Sequence, residues 1–314
     1  MRRFGFLLVA ALVLAVLATG FARAAEQVTI YRDVWGIPHI YAETELGAFY
    51  GQGYAQAEYR LEALLRNYRI AAGTMAEAFG PEFVEQDYMQ RLVGHEKYSR
   101  ERYATIRPEV RAAIEAYQAG VRRYMEEHPE QVPEWAPQLE PWQVVAVGRL
   151  IIFNWPIGEA MGKLRRRQAP STQGNAGGSA QVVAYQPLEP QIPFASNQWS
   201  VGPGRTADGC AVLCIDPHVD WTGPIRFDEV RLHGGEVNAS GVTITGAPSI
   251  GLGHNQYLGW AATTGGPSTT DIYVLDIDPE NALRYRYDDG WKDITAEEVV
   301  IKVKGAEPVT RTIE

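Results

Sequence analysis

The sequence around Ser196 is typical of a serine nucleophile whose own α-amino group acts as its base. This serine follows Ala195 at the end of a stretch rich in proline, glycine and serine, and it begins the run Ser196-Asn197-Gln198-Trp199, where strand-forming sequence starts. A serine hydroxyl is a weak nucleophile until a base takes its proton. If the chain is cut before Ser196, the freed α-amino group, whose pKa is about 8, can act as that base. The same pattern also fits an ordinary serine that follows a linker.

Other kinds of catalytic or metal chemistry have less support in the sequence. The Gly-x-Ser-x-Gly elbow, which presents a serine to a histidine base, is absent. The only cysteines are Cys210 and Cys214, and on one strand they would lie about 13 Å apart, too far for a disulfide. We therefore expect both to be buried as small hydrophobic residues. A metal site there lacks further histidine or cysteine partners at ligand spacing.

The elements before Ser196 are predicted to be mainly helical. Two short strands within residues 28–41 are joined by a turn at residues 33–36. Apolar residues then recur at helical spacing, with capping residues and prolines at the ends of the runs. We predict three helices, which run from Thr44 to Gly73, from Pro108 to Pro129, and from residue 144 past Pro156.

The rest of the chain is predicted to be a linker followed by strands. Residues 164–195 combine a basic cluster with a run rich in glycine, serine and proline, which buries little surface and is typical of a flexible linker. After Ser196, turn signals alternate with β-rich runs at residues 242–245, 271–275 and 299–303. A helical first part and a β-rich second part predict an α+β protein.

Composition and charge narrow the function classes. With 46% hydrophobic residues the 314-residue chain can form a sizeable core, and its net charge of −9 argues against sequence-independent nucleic-acid binding. Residues 1–24 have a basic start, an apolar stretch and a small-x-small site, which indicate a secretory signal peptide. The alternative is an uncleaved membrane anchor. We expect no later stretch to span a bilayer, and therefore a periplasmic or secreted protein without stable membrane insertion after signal cleavage.

Several motifs occur in a fixed order along the chain. Before the linker, the motifs are Trp35-Gly36-Ile37-Pro38-His39 and Gly51-Gln52-Gly53-Tyr54-Ala55. After it, they are Ser196-Asn197-Gln198-Trp199, Asp216-Pro217-His218-Val219-Asp220-Trp221, Gly253-His254-Asn255 and Gly259-Trp260-Ala261-Ala262-Thr263-Thr264-Gly265. In residue types and intervals, these motifs resemble the penicillin acylase family of N-terminal-nucleophile hydrolases. The resemblance covers nearly all of the chain after the signal segment.

The resemblance implies a four-layer αββα fold and a precursor that cuts itself before Ser196. It divides the chain into a mainly helical α-chain (residues 25–163), a spacer removed or cut on maturation (residues 164–195) and the first part of a β-chain (residues 196–314). It also implies that Ser196 Oγ attacks the amide carbonyl of a small N-acyl compound, such as a β-lactam or an acyl-homoserine lactone, without an organic cofactor. Two alternatives stay open: an inactive family member that binds ligands or serves as a structural module, and an ordinary exported binding domain.

The resemblance also implies roles for two further residues. By the family pattern the backbone N–H of Thr264 donates to the oxyanion, and His218 hydrogen-bonds Ser196 and assists self-cleavage and catalysis. The alternatives are a Thr-Thr-Gly-Gly turn for Thr264 and a structural histidine for His218. We expect His254 to pack and bond the backbone. We expect Arg60 and Glu58 to lie in an internal ion pair or on a solvated face.

Relatives in this family also bind a structural calcium ion through carboxylates and carbonyl groups, which suits a hard cation. Asp271 matches one ligand position, Tyr273 comes next in the predicted strand, and Glu159 is the nearest acidic residue for the α-chain ligand. A further family carboxylate is replaced by Ser268. The sequence therefore leaves calcium binding open.

Two departures from the family pattern are visible. The α-chain motif has Gln56 and Tyr59 where many relatives have histidine and aspartate. The sequence ends at Glu314 within a predicted hairpin strand, whereas relatives continue for several hundred residues that hold the side-chain amide of the oxyanion hole and further calcium ligands. An unpaired strand edge also favours aggregation. We expect this polypeptide alone to be poorly folded or inactive, and the full-length gene product to be an amidase.

Overall fold

The structure, a computed structural model, describes residues 26–168, 195–219, 223–263 and 270–314. The predicted signal segment and most of the predicted spacer lie outside these ranges. Before Ser196 the described chain is mainly helical. The helices are α1 (Glu45–Ala72), α2 (Met75–Phe79), α3 (Val84–Val93), α4 (His95–Arg102), α5 (Pro108–Glu127) and α6 (Trp142–Gln168).

Strands dominate the described residues after Ala195, and their separation from the helices confirms the α+β class. The strands are β1 (Thr29–Arg32), β2 (Pro38–Tyr41), β3 (Ala195–Val201), β4 (Val212–His218), β5 (Phe227–Gly234), β6 (Val237–Ile244), β7 (Leu252–Asn255), β8 (Gly259–Trp260), β9 (Ile277–Asp278), β10 (Asn281–Tyr287), β11 (Gly290–Asp293), β12 (Glu297–Ile301) and β13 (Val309–Ile313).

The largest sheet combines strands from both sides of the linker. Its six strands have the order β1-β2-β5-β6-β7-β8, with β1 and β2 before Ser196 and the other four after it. Strands β2 and β5 pair in parallel, with His39 opposite Arg231, and the remaining pairs are antiparallel. The smaller sheets are β3-β4, β11-β10-β9 and β12-β13. A chain cut before Ser196 would therefore keep both fragments in one hydrogen-bonded sheet.

Helix α1 has the ends that its sequence predicts. The Thr44 side chain accepts a hydrogen bond of 3.0 Å from the Gly47 N–H, which satisfies one of the free donors of the first turn. The helix ends where Gly73 adopts a left-handed conformation (φ 61°) that favours glycine. The buried face of α1 packs with α5 and α6 in the main core, whose fully buried members include Leu64, Leu65, Tyr68, Tyr117, Val121, Ala146 and Val147.

Two glycines allow α1 and α5 to approach closely. A Cβ atom at Gly53 would lie 1.9 Å from the backbone oxygen of Tyr117, and a Cβ at Gly120 would lie 1.9 Å from the backbone oxygen of Tyr50. Real Cβ atoms do not approach an oxygen to that distance. The crossing of these helices therefore requires glycine at both positions.

A buried polar network joins α1 to the six-stranded sheet. Asp228 of β5, whose side chain is 1% exposed, accepts hydrogen bonds from Gln56 Nε2 (3.1 Å), Arg60 Nε (3.1 Å) and Thr245 Oγ1 (2.6 Å). Arg60 lies at a non-helical position within α1 (φ −137°), where the helix is kinked. Of the two alternatives expected for Arg60, the structure thus shows the internal ion pair, whereas Glu58 is 45% exposed and pairs with Arg32.

Several predictions about the elements were wrong. Helices α2 to α4 were not predicted, because they have only 5, 10 and 8 residues, and helical periodicity is read over windows of about 11–18 residues. Residues 271–275 form no strand, although their residue types predicted one. Helix α6 continues to Gln168, beyond the predicted start of the spacer at residue 164. The third predicted helix thus takes in the basic cluster at residues 165–167.

The predictions about the burial of the two cysteines and about membrane-spanning segments also need correction. Cys210 is exposed in the turn before β4 and Cys214 is half-buried, so neither is a fully buried small hydrophobic residue, although both are free. The 24 residues Trp142–Arg165 of α6 meet the length and hydropathy criteria for a membrane span, contrary to the expectation that no later stretch would. Only 22% of that apolar window is buried. Length and composition alone are weak evidence for a span, because core helices of other proteins meet the same criteria.

Candidate functional site

Ser196 lies near the start of a two-stranded antiparallel sheet. Strand β3 begins at Ala195, and it pairs with β4 so that Ser196 lies opposite Pro217 and Ala195 lies opposite His218. Residues directly opposite each other in an antiparallel pair share one face of the sheet. The structure therefore places the predicted cleavage position on β3, where Ala195 and Ser196 pair with the end of β4.

The face of β3 and β4 that carries Ser196 is directed at the six-stranded sheet. Pro217, opposite Ser196, and Ile215, two residues earlier on β4, line a cleft of about 450 Å³ together with residues of β5, β6 and β7. Leu213 is on the same face, and a Cβ at Gly259 of β8 would lie 2.6 Å from its Cδ2 atom. The two sheets thus face each other on the side where Ser196 lies, as in a sandwich.

A segment distant in sequence is tied to the backbone of Ser196. The Thr263 hydroxyl donates a hydrogen bond of 2.9 Å to the Ser196 carbonyl oxygen. Thr264, the predicted oxyanion donor, lies outside the described residues, so its predicted role stays a prediction. The contact of its neighbour Thr263 was not predicted, although Thr263 belongs to the same sequence motif. It brings the end of the Gly259-to-Thr263 segment beside the candidate nucleophile.

His218 lies on the opposite face of the small sheet from Ser196. Its Nε2 atom is 3.0 Å from Asp216 Oδ2 and 3.2 Å from Asn197 Nδ2. Asn197 is opposite Asp216 in the β3–β4 register, and both alternate with Ser196 and Pro217. In this conformation the described contacts of His218 are therefore to Asp216 and Asn197, and the predicted hydrogen bond to Ser196 is not among them.

The His218 cluster is an exposed ionisable pair. Hydrogen bonding to His218, and then to Asn197, lowers the pKa of the Asp216 carboxyl. The side chains of His218 and Asp216 are 38% and 51% exposed, which limits their electrostatic coupling through solvent screening. Asp216 and Asn197 were not predicted as partners of His218, although the Asp-x-His spacing on a strand places both side chains on one face.

His254, which we expected to pack and bond the backbone, is exposed on β7, where it pairs with Ser240 of β6. The packing role was therefore wrong. The two residues predicted to act beside Ser196 differ in outcome. Thr264 lies outside the described ranges, and His218 lies on the opposite face of the small sheet. Of the two predicted catalytic residues that the structure describes, Ser196 lies on the face that borders the cleft and His218 lies on the other face.

The predicted calcium ligands do not form a calcium site in the described residues. Glu159 Oε1 is 2.8 Å from the ammonium nitrogen of Lys163, which also donates to the Thr270 carbonyl oxygen. Asp271 and Tyr273 are exposed, and no group of three or more acidic, histidine or cysteine side chains is assembled among the residues that the structure describes. Calcium takes six to eight oxygen ligands, and an adjacent ammonium group opposes its binding. The donor set that the described residues provide therefore does not fit calcium.

Curated relatives are similar to most of this chain. An acyl-homoserine lactone acylase, PvdQ, of Pseudomonas fluorescens strain Pf0-1 is 28% identical over 308 residues, covering 90% of this chain and 39% of that protein. The acylase QuiP of Pseudomonas aeruginosa is 25% identical over 334 residues, covering 92% of this chain and 39% of that protein. The chain thus spans about two-fifths of the length of the curated relatives it matches.

A solved structure is also similar, though less closely. Thermostable penicillin G acylase from Alcaligenes faecalis aligns with a TM-score of 0.37 and 22% identity, covering 49% of this chain and 98% of that chain. A TM-score of that size does not establish a shared fold. The model of the penicillin amidase family, by contrast, matches residues 27–314, which includes Ser196 and all described strands. The chain belongs to the penicillin amidase family.

Proposed function

We propose that the full-length gene product is an exported amidohydrolase that cuts itself before Ser196 and then hydrolyses the amide bond of an N-acyl compound. One observation carries this proposal: within a chain of this family, Ser196 lies near the start of β3, on the face that borders the cleft between the two sheets. A nucleophile must be accessible to substrate and held by a rigid element, and this position supplies both.

The chemistry follows from a new N-terminus at Ser196. The free α-amino group takes the proton of Ser196 Oγ, directly or through a water molecule, as Oγ attacks the amide carbonyl carbon. The tetrahedral intermediate collapses, the amine leaves with a proton from the α-ammonium group, and water then hydrolyses the acyl-serine ester. We propose the Thr264 backbone N–H as one oxyanion donor, a contribution worth about 3 kcal/mol of barrier. The hydrogen bond from Thr263 to the Ser196 carbonyl supports this placement of the segment.

We propose N-acyl-homoserine lactones as the first substrates to test. The curated relatives carry that substrate in their names, and an N-acyl-homoserine lactone contains the amide bond that this chemistry requires. The products are a free carboxylic acid and homoserine lactone. Because the chain spans about two-fifths of those relatives, the activity is proposed for the full-length product.

We further propose that the cut protein is a pair of chains located in the periplasm or secreted. Residues 1–24 would act as the signal peptide, and residues 164–195 would contain the spacer. The two fragments would stay together because β2 pairs with β5 and because Arg60 and Gln56 bond the buried Asp228. A four-layer αββα arrangement is the architecture we propose for the complete protein.

The proposal is tested on the full-length gene product by intact mass, N-terminal sequencing and acylase assay. We expect a fragment that begins at Ser196, and hydrolysis of N-acyl-homoserine lactones followed by mass spectrometry. Ser196→Ala should abolish both cutting and hydrolysis, whereas Ser196→Cys should retain cutting, because a thiol can attack the same bond. The control is Ser200→Ala, on the same face of β3. Cutting of the Ser196→Ala variant at the same bond would refute the mechanism.

A further inference from the structure

Lys163 connects helix α6 to the segment that follows residue 269. Its ammonium group is 2.8 Å from Glu159 Oε1, one helical turn earlier, and it donates to the carbonyl oxygen of Thr270. The Thr270 hydroxyl donates a second hydrogen bond, of 3.3 Å, to the carbonyl oxygen of Pro156 in the same helix. Two contacts therefore hold Thr270 to the last part of α6, and one of them carries a full positive charge.

We infer that Lys163 takes the place of a metal ion at this position, as a covalently attached cation that joins α6 to residues 270–273. An ammonium group has three donors and no acceptor, so it can bind a carboxylate and a carbonyl oxygen at once. These are the oxygen types that a calcium ion would use. The charge of Glu159 is thus balanced within the chain, and no divalent ion is required.

The surrounding groups agree with this assignment. Glu159 and Lys163 are 29% and 31% exposed, so the pair is shielded on most sides but not sealed from solvent. A calcium ion that bound Glu159 and Thr270 would lie beside the Lys163 ammonium, and like charges repel. The exposed Asp271 and Tyr273 side chains add no further anchored ligand on the described side of the segment.

The test uses the full-length gene product carrying Ser196→Ala, so that the state of the chain is uniform whether or not the wild type cuts itself. Its melting temperature is measured in millimolar CaCl2 and in EDTA, and amide hydrogen exchange is followed by mass spectrometry. Lys163→Met removes the charge, Lys163→Arg keeps it, and Lys302→Met, an exposed lysine paired with Glu77 at 3.8 Å, is the control.

We expect the same melting temperature in CaCl2 and in EDTA. Exchange in residues 270–276 should be roughly tenfold faster in Lys163→Met, because a charged hydrogen bond is lost, and nearly unchanged in Lys163→Arg and Lys302→Met. The inference is overturned if calcium stabilises the protein and Glu159→Gln removes that effect. It is also overturned if Lys163→Met leaves exchange in residues 270–276 unchanged. Neither readout depends on amidase activity, so failure here is distinct from failure of the proposed function.

Discussion

Removal of the Asp228 carboxylate should strongly destabilise the protein, because this group holds α1 against the six-stranded sheet. Its side chain is 1% exposed and accepts hydrogen bonds from Gln56, Arg60 and Thr245. Gln56 and Thr245 are themselves 2% exposed, so water cannot easily replace the lost acceptor. The variant Asp228→Ala leaves all three donors without this partner.

The expected loss in the free energy of unfolding follows from the hydrogen-bond partners of Asp228. Breaking a buried ion pair by removing one member costs about 3–5 kcal/mol, and we expect Asp228→Ala to fall in that range. Arg60, at 31% exposure, regains some solvation, which favours the lower part of the range. Asp228→Asn keeps the shape and one acceptor oxygen but loses the charge, so it should cost about 2 kcal/mol.

The measurement is urea-induced unfolding of the full-length product in the Ser196→Ala background, followed by tryptophan fluorescence. The matched control is Glu229→Ala, the next residue on β5, whose 44% exposed carboxylate pairs with Arg231 at 2.8 Å. That exposed pair should contribute less than about 1 kcal/mol. If Asp228→Ala costs no more than Glu229→Ala, the network does not hold the two parts together and the reasoning is wrong.

Two further predictions concern the helical part. Gly53→Ala should destabilise the protein by about 3 kcal/mol or more in urea unfolding, since the new Cβ would overlap the Tyr117 backbone oxygen. Gly148→Ala, which has open space around it, should stabilise the protein by about 0.5–1 kcal/mol. Equal effects of the two substitutions would contradict the close crossing of α1 and α5. Burial, and then the charge of Arg149, lowers the pKa of His95 to about 4 from 6.5. The unfolded chain therefore binds a proton first as pH falls from 6.5 to 4, and stability should drop by about 3 kcal/mol over that window. His95→Leu should remove this part of the acid dependence of the urea midpoint, and an unchanged pH profile would contradict it.

Local sequence signals predicted those elements whose ends are fixed by nearby residues. The cap at Thr44 and the left-handed Gly73 mark the ends of α1, and Pro108 begins α5, because capping and proline geometry act within one turn. Helices α2 to α4 were missed, since with 5, 10 and 8 residues they are shorter than the window over which helical periodicity is read. Residues 271–275 have β-forming side chains but pair with no strand among the described residues, so propensity alone was misleading.

The candidate site was predictable in part. The position of Ser196 after a linker and before a strand followed from composition, and the ordered motifs indicated the family that the comparison confirms. The partners of His218 did not follow, because they depend on the register between β3 and β4. A shift of one residue would move His218 to the face of Ser196.

The sequence by itself therefore determined the α+β class, both ends of α1, the start of α5, the family and the candidate nucleophile. All of these rest on local patterns or on motifs read along the chain. Only the tertiary structure decided that β2 pairs with β5 across the linker, that Asp228 is buried against Arg60, and that Lys163 bonds Thr270. Each of these contacts joins residues more than a hundred positions apart, and packing rather than local preference selects such pairs.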